Sequence, residues 1–164
     1  MKTLYLMRHA KSSWEDHSLR DIQRPLNKRG HRDAPFMGRQ LKSKGIVPQM
    51  IITSPALRAL STASYVAREI NYPLSKINTN KRLYEADEEE ILQVIKEVDP
   101  SIDHLLIVGH NPGLTDLANR VSTDPIDNIV TAGIYSVQFD CLKWKDIGKS
   151  KARFHFYIYP KMFS

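Results

Sequence analysis

Cysteine is almost missing from this chain: Cys141 is the only one in 164 residues. No internal disulfide can form, and a reducing cytoplasm is the expected home. No apolar run reaches membrane-spanning length, so no membrane partner is expected. The short apolar stretch at 4–7 lacks a small-residue cleavage site, so no secretory signal is expected either. Also absent are a His-Glu-x-x-His or comparable metal-ligand spacing and the Gly-x-x-x-x-Gly-Lys-Ser/Thr phosphate loop. No metal, no cofactor and no ATP-driven chemistry is therefore expected. Basic residues interleaved with aromatics form no stripe, which argues against a nucleic-acid partner. Internal repeats, low-complexity tracts and linkers are lacking, so residues 1–164 read as one domain, expected to be a monomer.

What is present is an ordinary globular composition, 41% hydrophobic and 26% charged. The formal net charge of +6 and a sequence pI near 9.4 favour anionic partners without choosing among them. Apolar runs at 4–7, 50–53, 105–108, 134–139 and 154–159, and a weaker one at 75–78, read as strands. Periodic segments at 27–44, 55–70, 87–98 and 112–121 read as helices, with Pro35 expected to kink or split the first. The early strands are apolar on both faces, as parallel strands covered by helices are. The rhythm predicts an α/β fold: a three-layer α/β/α sandwich with a mostly parallel central sheet. The connection "CLKWKDIGKSKA" is polar and basic, and implies that the last two strands pair as an antiparallel edge hairpin.

Three strands end in unusual chemistry. "LYLMRHAKSSW" runs from Leu4–Met7 straight into Arg8 and His9, "LLIVGHNPG" ends in His110, and "MIITSPALRA" leads through Ser54-Pro55 to Arg58. Ligands of open parallel sheets bind beyond the carboxyl ends of the strands, so these segments can share one crevice. Ser54 before Pro55 and Asn111 before Pro112 look like helix caps that aim N-terminal amides into it. Arg58, one turn into its helix, leans back over the same place. Singly, each residue is unremarkable: a histidine at a turn, an arginine on a helix surface. Together on one predicted edge, two arginines and two histidines make a site for a dianion, and phosphate is the natural occupant.

The motifs "LMRHAKSSW", "TSPALRALSTA", "RLYEA" and "VGHNPGL" resemble those of the histidine phosphatase superfamily, the phosphoglycerate-mutase-like fold. Arg8-His9-Ala10 in place of Arg-His-Gly, the stretch "RPLNKRG" and the short chain most resemble the SixA-type phosphohistidine phosphatase branch. The resemblance implies that His9 is a nucleophile forming a phosphohistidine intermediate. It also implies that Arg8, Arg58 and His110 complete the phosphate pocket, and that Glu85 matches the acid of many members. Lys11, Ser12 and Asn111 are secondary substrate-binding candidates, Arg20 and Arg24 are expected at the rim, and Trp14 reads as packing or a pocket wall.

The expected function is thus a metal-independent phosphatase acting on a phosphorylated protein or a small phosphate ester. Its rivals are a small-molecule phosphomonoesterase or mutase on the same fold and a non-catalytic phosphoprotein- or nucleic-acid-binding module. Cysteine-based phosphatase chemistry does not fit, because Ile147 stands where an arginine is needed six residues after Cys141. Little chain lies between Arg58, Glu85 and His110 to build a lid, which favours an open site and a phosphate presented on a protein surface.

Overall fold

The computed structural model describes residues 1–164. Six strands form one sheet: β1 (Lys2–Arg8), β2 (Met50–Thr53), β3 (Asn78–Thr79), β4 (His104–Gly109), β5 (Ile134–Phe139) and β6 (Arg153–Ile158). Their order across the sheet is β3-β2-β4-β1-β5-β6. The first four in that order run parallel, whereas β5 is antiparallel to β1 and β6 is antiparallel to β5. The helices are α1 (Lys28–Ser43), α2 (Leu57–Glu69), α3 (Glu88–Lys96) and α4 (Gly113–Val121).

Alternation along β1 sets the layers. Tyr5 and Met7 face α1 and α2 with Met37, Leu41, Ala63 and Val66, while Leu4 and Leu6 face α3 and α4 with Ile91, Ile95 and Leu117. Both faces are apolar, so the strand is buried throughout its length and cannot slip register without displacing two cores. Local chemistry starts two of the helices. The Asn27 side chain accepts the Gly30 N–H at 2.9 Å, and Asp87 accepts the Glu90 N–H at 2.9 Å ahead of three glutamates in the first turn of α3.

Several expectations need correcting. α1 runs through Pro35 as a single helix and is not split. The stretch at 75–78 is mostly a 3-10 turn, Leu74–Lys76, and the strand beyond it is only Asn78–Thr79. The helices begin later than expected, α2 at Leu57 and α4 at Gly113, but Ser54 and Asn111 still accept backbone N–H groups at those starts, Ser54 Oγ from Ala56 at 3.2 Å and Asn111 Oδ1 from Thr115 at 3.3 Å. The connection between β5 and β6 is not merely a solvated loop. Trp144 within it is fully buried among Leu105, Val137 and Phe139, and its indole N–H donates to the Ile102 carbonyl at 2.7 Å. The basic residues around it masked a core anchor.

Truncating that anchor, Trp144→Ala, is expected to lower the unfolding free energy by about 3–5 kcal/mol, read from the urea midpoint. A loss below about 1 kcal/mol would show that this connection adds nothing to the core.

Candidate functional site

Register brings the strand ends together. Arg8 lies opposite Gly109 and Thr53 opposite Val108, so the chain leaves β1, β4 and β2 side by side. His9 N–H bonds Gly109 O at 3.0 Å, and Ser54 N–H bonds Val108 O at 3.0 Å, extending the ladder one residue past each strand. The side chains of His9 and His110 then meet with ring centroids 5.2 Å apart. Two glycines let the flanking loops close in. A Cβ on Gly30 would lie 2.2 Å from Lys11 O, and one on Gly113 would lie 2.3 Å from Ala86 O. The second contact holds Tyr84-Glu85 beside the start of α4.

His9 is 8% exposed, and its Nδ1 lies 2.7 Å from Ala10 O. A carbonyl can only accept, so Nδ1 carries the proton and Nε2 keeps its lone pair. The Ala10 peptide is itself fixed, because its N–H donates to Thr62 Oγ1, whose hydroxyl donates to Arg58 O. Burial, with help from Arg58, Arg8 and Arg24, pushes the His9 imidazole down to about 4. Exclusion of water is the larger cause, and the arginines add to it. His110 is pushed down to about 3 by burial, then by His9 and Arg58, and its Nε2 lies 2.8 Å from the Ser54 hydroxyl. Ser54 thus serves the site through its side chain.

Two of the guanidinium groups, Arg24 and Arg58, are held by one carboxylate. Arg58 donates to Asp21 O at 2.7 Å and to Asp21 Oδ2 at 3.0 Å. Arg24 donates to Asp21 Oδ1 at 3.0 Å, and the Tyr84 hydroxyl donates to Asp21 Oδ2 at 2.6 Å. The Tyr84 bond and the two arginines hold the Asp21 carboxyl far below the usual carboxylate range, against a smaller opposing effect of burial. Burial and the Asp21 bond push the Tyr84 phenol up to about 12. Arg8 donates to Ile129 O at 3.2 Å and has a buried Nε–H with no partner. Desolvation lowers its pKa.

The cleft between these groups measures about 270 Å³ and is lined by Arg8, His9, Lys11, Ser12, Trp14, Arg24, Arg58, Tyr84, Glu85, His110, Asn111 and Thr131. All eight residues singled out from sequence therefore border one space, but they do not stand alike. Lys11 and Glu85 are exposed at its mouth and make no side-chain hydrogen bond, and Glu85 sits on left-handed backbone at φ 57°. Ser12 is buried and accepts from Arg24. Asn111 has its amide committed: it donates to Asn128 Oδ1 and Ile129 O and accepts from Thr115, steadying the carbonyl that Arg8 uses. Arg20 is exposed as expected, whereas Arg24 is not at the rim but buried inside the cleft. Sequence reasoning missed Asp21, Tyr84 and Thr62. The first opens a short 3-10 helix, Asp21–Gln23, between two arginines where nothing in the sequence marks it, and the second was overshadowed by its neighbour Glu85.

Comparison with known proteins shows the family and the fold. A family model described as histidine phosphatase superfamily (branch 1) matches residues 4–104. A chloroplastic protein of Arabidopsis thaliana is 34% identical over 129 residues, covering 74% of this chain and 59% of its own length. The chain thus spans well under two thirds of that relative. Among solved structures, the protein histidine phosphatase SixA complexed with tungstate superposes with a TM-score of 0.84 at 21% identity, covering 99% of each chain. A mycobacterial glucosyl-3-phosphoglycerate phosphatase complexed with VO3 superposes with a TM-score of 0.72 at 14% identity, covering 98% of this chain and 100% of its own. At such identities the superpositions establish a shared fold, phosphoglycerate-mutase-like and of the SixA type. Because the family model covers more than half of the sequence, including the Arg8-His9 strand end and Arg58, the chain belongs to the histidine phosphatase superfamily (branch 1).

Proposed function

We propose that the protein is a phosphatase that removes the phosphoryl group from phosphohistidine on proteins, through a covalent intermediate on its own His9. The observation that carries this reading is the 2.7 Å contact of His9 Nδ1 with Ala10 O, which leaves Nε2 unprotonated inside a cationic cleft. In the first step Nε2 attacks phosphorus; a P–N bond forms to His9 as the P–N bond to the substrate imidazole breaks, and that imidazole takes a proton from solvent on departure. In the second step water attacks the phosphorylated His9, releasing inorganic phosphate and restoring the neutral ring. The loose transition state spreads charge over the equatorial oxygens. Arg8 and Arg58 offer planar paired donors to those oxygens, and His110 a further one. Donors placed in this way are worth about 3 kcal/mol apiece. Lys11, Trp14 and Glu85 on its lining are exposed, which suits a phosphate presented on a protein surface. The tungstate-bound protein histidine phosphatase SixA, similar over its whole length, supports the same reading.

A second reading, hydrolysis of small phosphate esters, is favoured by one observation: Glu85 at the mouth, free of other partners, where it could protonate an alkoxide leaving group. Imidazole leaves readily without such help.

Rapid quenching with a phosphohistidine peptide is expected to trap phosphoenzyme in the wild type and none in His9→Ala, with turnover unchanged by a chelator. Turnover persisting in His9→Ala would end the covalent reading. For Glu85→Gln, loss of a general acid should cost an alkyl phosphate about 100-fold in kcat/KM and phosphohistidine only a few-fold; equal losses would contradict this role. The His9 ring resonances of the free enzyme should titrate near pH 4, well below the ordinary 6.5. Between those values the unfolded chain binds a proton that the folded site refuses, so stability should fall as pH drops through that window. A His9 midpoint near 6.5 would show that the cleft does not keep the nucleophile neutral.

A further inference from the structure

The cleft contains one surface that phosphate chemistry leaves unused. Trp14 is 65% exposed at its lip, while the protein's other tryptophan, Trp144, is fully buried. An indole left in water at a functional opening normally moves freely; this one is fixed. The Arg24 guanidinium sits beneath it, its carbon 3.3 Å from the ring centroid. Arg24 in turn is locked by Ser13 O, Asp21 Oδ1 and the Ser12 hydroxyl. The backbone is also pinned, since Ser13 N–H bonds Pro25 O at 2.8 Å and Ser12 bridges Leu26. One face of the ring is therefore covered by a cation, and the rest of the indole stands exposed and fixed on the lining of the cleft that also holds His9. The rest of the mouth is charged or polar: Lys11, Glu85 and Thr131.

We propose that Trp14 is a specificity-determining residue whose open face stacks on the imidazole of the substrate phosphohistidine. This rests on the phosphohistidine reading and extends it to the leaving group. A phosphoryl group seated between Arg8 and Arg58 must carry its attached group out through the mouth, and a planar ring can lie offset over the indole there. Aliphatic carriers of phosphate, such as serine, present no such face. Because the indole is already immobilised by Arg24, stacking orders no additional side chain of the protein. An offset aromatic pair of this kind corresponds to about three- to tenfold in affinity.

The test compares two peptides of identical sequence, one bearing phosphoryl-triazolylalanine, a hydrolysis-resistant ring isostere of phosphohistidine, the other phosphoserine. Calorimetric titration of the wild type, Trp14→Phe and Trp14→Ala gives Kd for each. Trp14→Ala should weaken the triazole peptide by about three- to tenfold while changing the phosphoserine peptide by less than about twofold, and Trp14→Phe should retain most of the preference. Equal weakening of both peptides would overturn the proposal, because the indole would then serve only to steady Arg24. No weakening of either would overturn it too. The reading of the reaction fails separately: a wild type that binds the triazole peptide through Trp14 yet never turns over phosphohistidine refutes the activity and leaves the stacking intact.

Discussion

The Asp21 carboxylate is the counter-charge on which the cleft depends. Arg24 and Arg58 both end in a space of a few hundred Å³, and like charges a few ångströms apart repel by about 4 kcal/mol even at an effective dielectric constant of 20. One carboxylate accepting from both guanidinium groups and from the Tyr84 hydroxyl turns that repulsion into a network with defined geometry. The consequences spread outward. Arg58 is held on the lining of the cleft with His9, Arg24 is seated under Trp14, and the Tyr84 ring is set edge-on against His110. Charge remains in excess, since Arg8 draws on a backbone carbonyl and not on a carboxylate, so the cleft retains its attraction for an anion.

The same packing that holds the sheet keeps the His9 ring neutral. His9 and His110 emerge from adjacent buried strands, between helices that exclude water, and a histidine deprived of water gives up its proton. The neighbouring arginines push in the same direction but matter less for His9 than its burial. A site assembled in this way works against folding in acid, because both rings are held neutral where the unfolded chain would protonate them. The apolar interior on both faces of β1 supplies the stability that offsets this.

Much of this was legible in the residues themselves. Apolar runs with double-sided burial marked β1, β2 and β4, and the residues that follow them named Arg8, His9, Arg58 and His110, because a strand that leaves a parallel sheet must deliver its next side chain to the carboxyl edge. Elements were misjudged where two signals competed. Pro35 cannot donate a hydrogen bond, yet it lies within a helix whose buried side, Ala34, Met37 and Leu41, keeps the helix intact. The lysines around Trp144 made a core residue look like part of a solvated loop. Ser54 carried the pattern of a cap and does accept the Ala56 N–H, but its hydroxyl also meets the buried His110 imidazole, a contact between distant segments that the local pattern did not show.

What the sequence determined alone is the order of strands and helices and the identity of the residues at three strand ends, because hydrophobic periodicity and side-chain direction are local properties. Only the tertiary structure decided which loop supplies the carboxylate, that Arg24 lies inside and not at the rim, and that Trp14 is clamped with one face open. Those outcomes depend on contacts between residues distant in the chain, such as Asp21 with Arg58 and Tyr84, and no local pattern encodes a distance between segments that meet only after the sheet has formed.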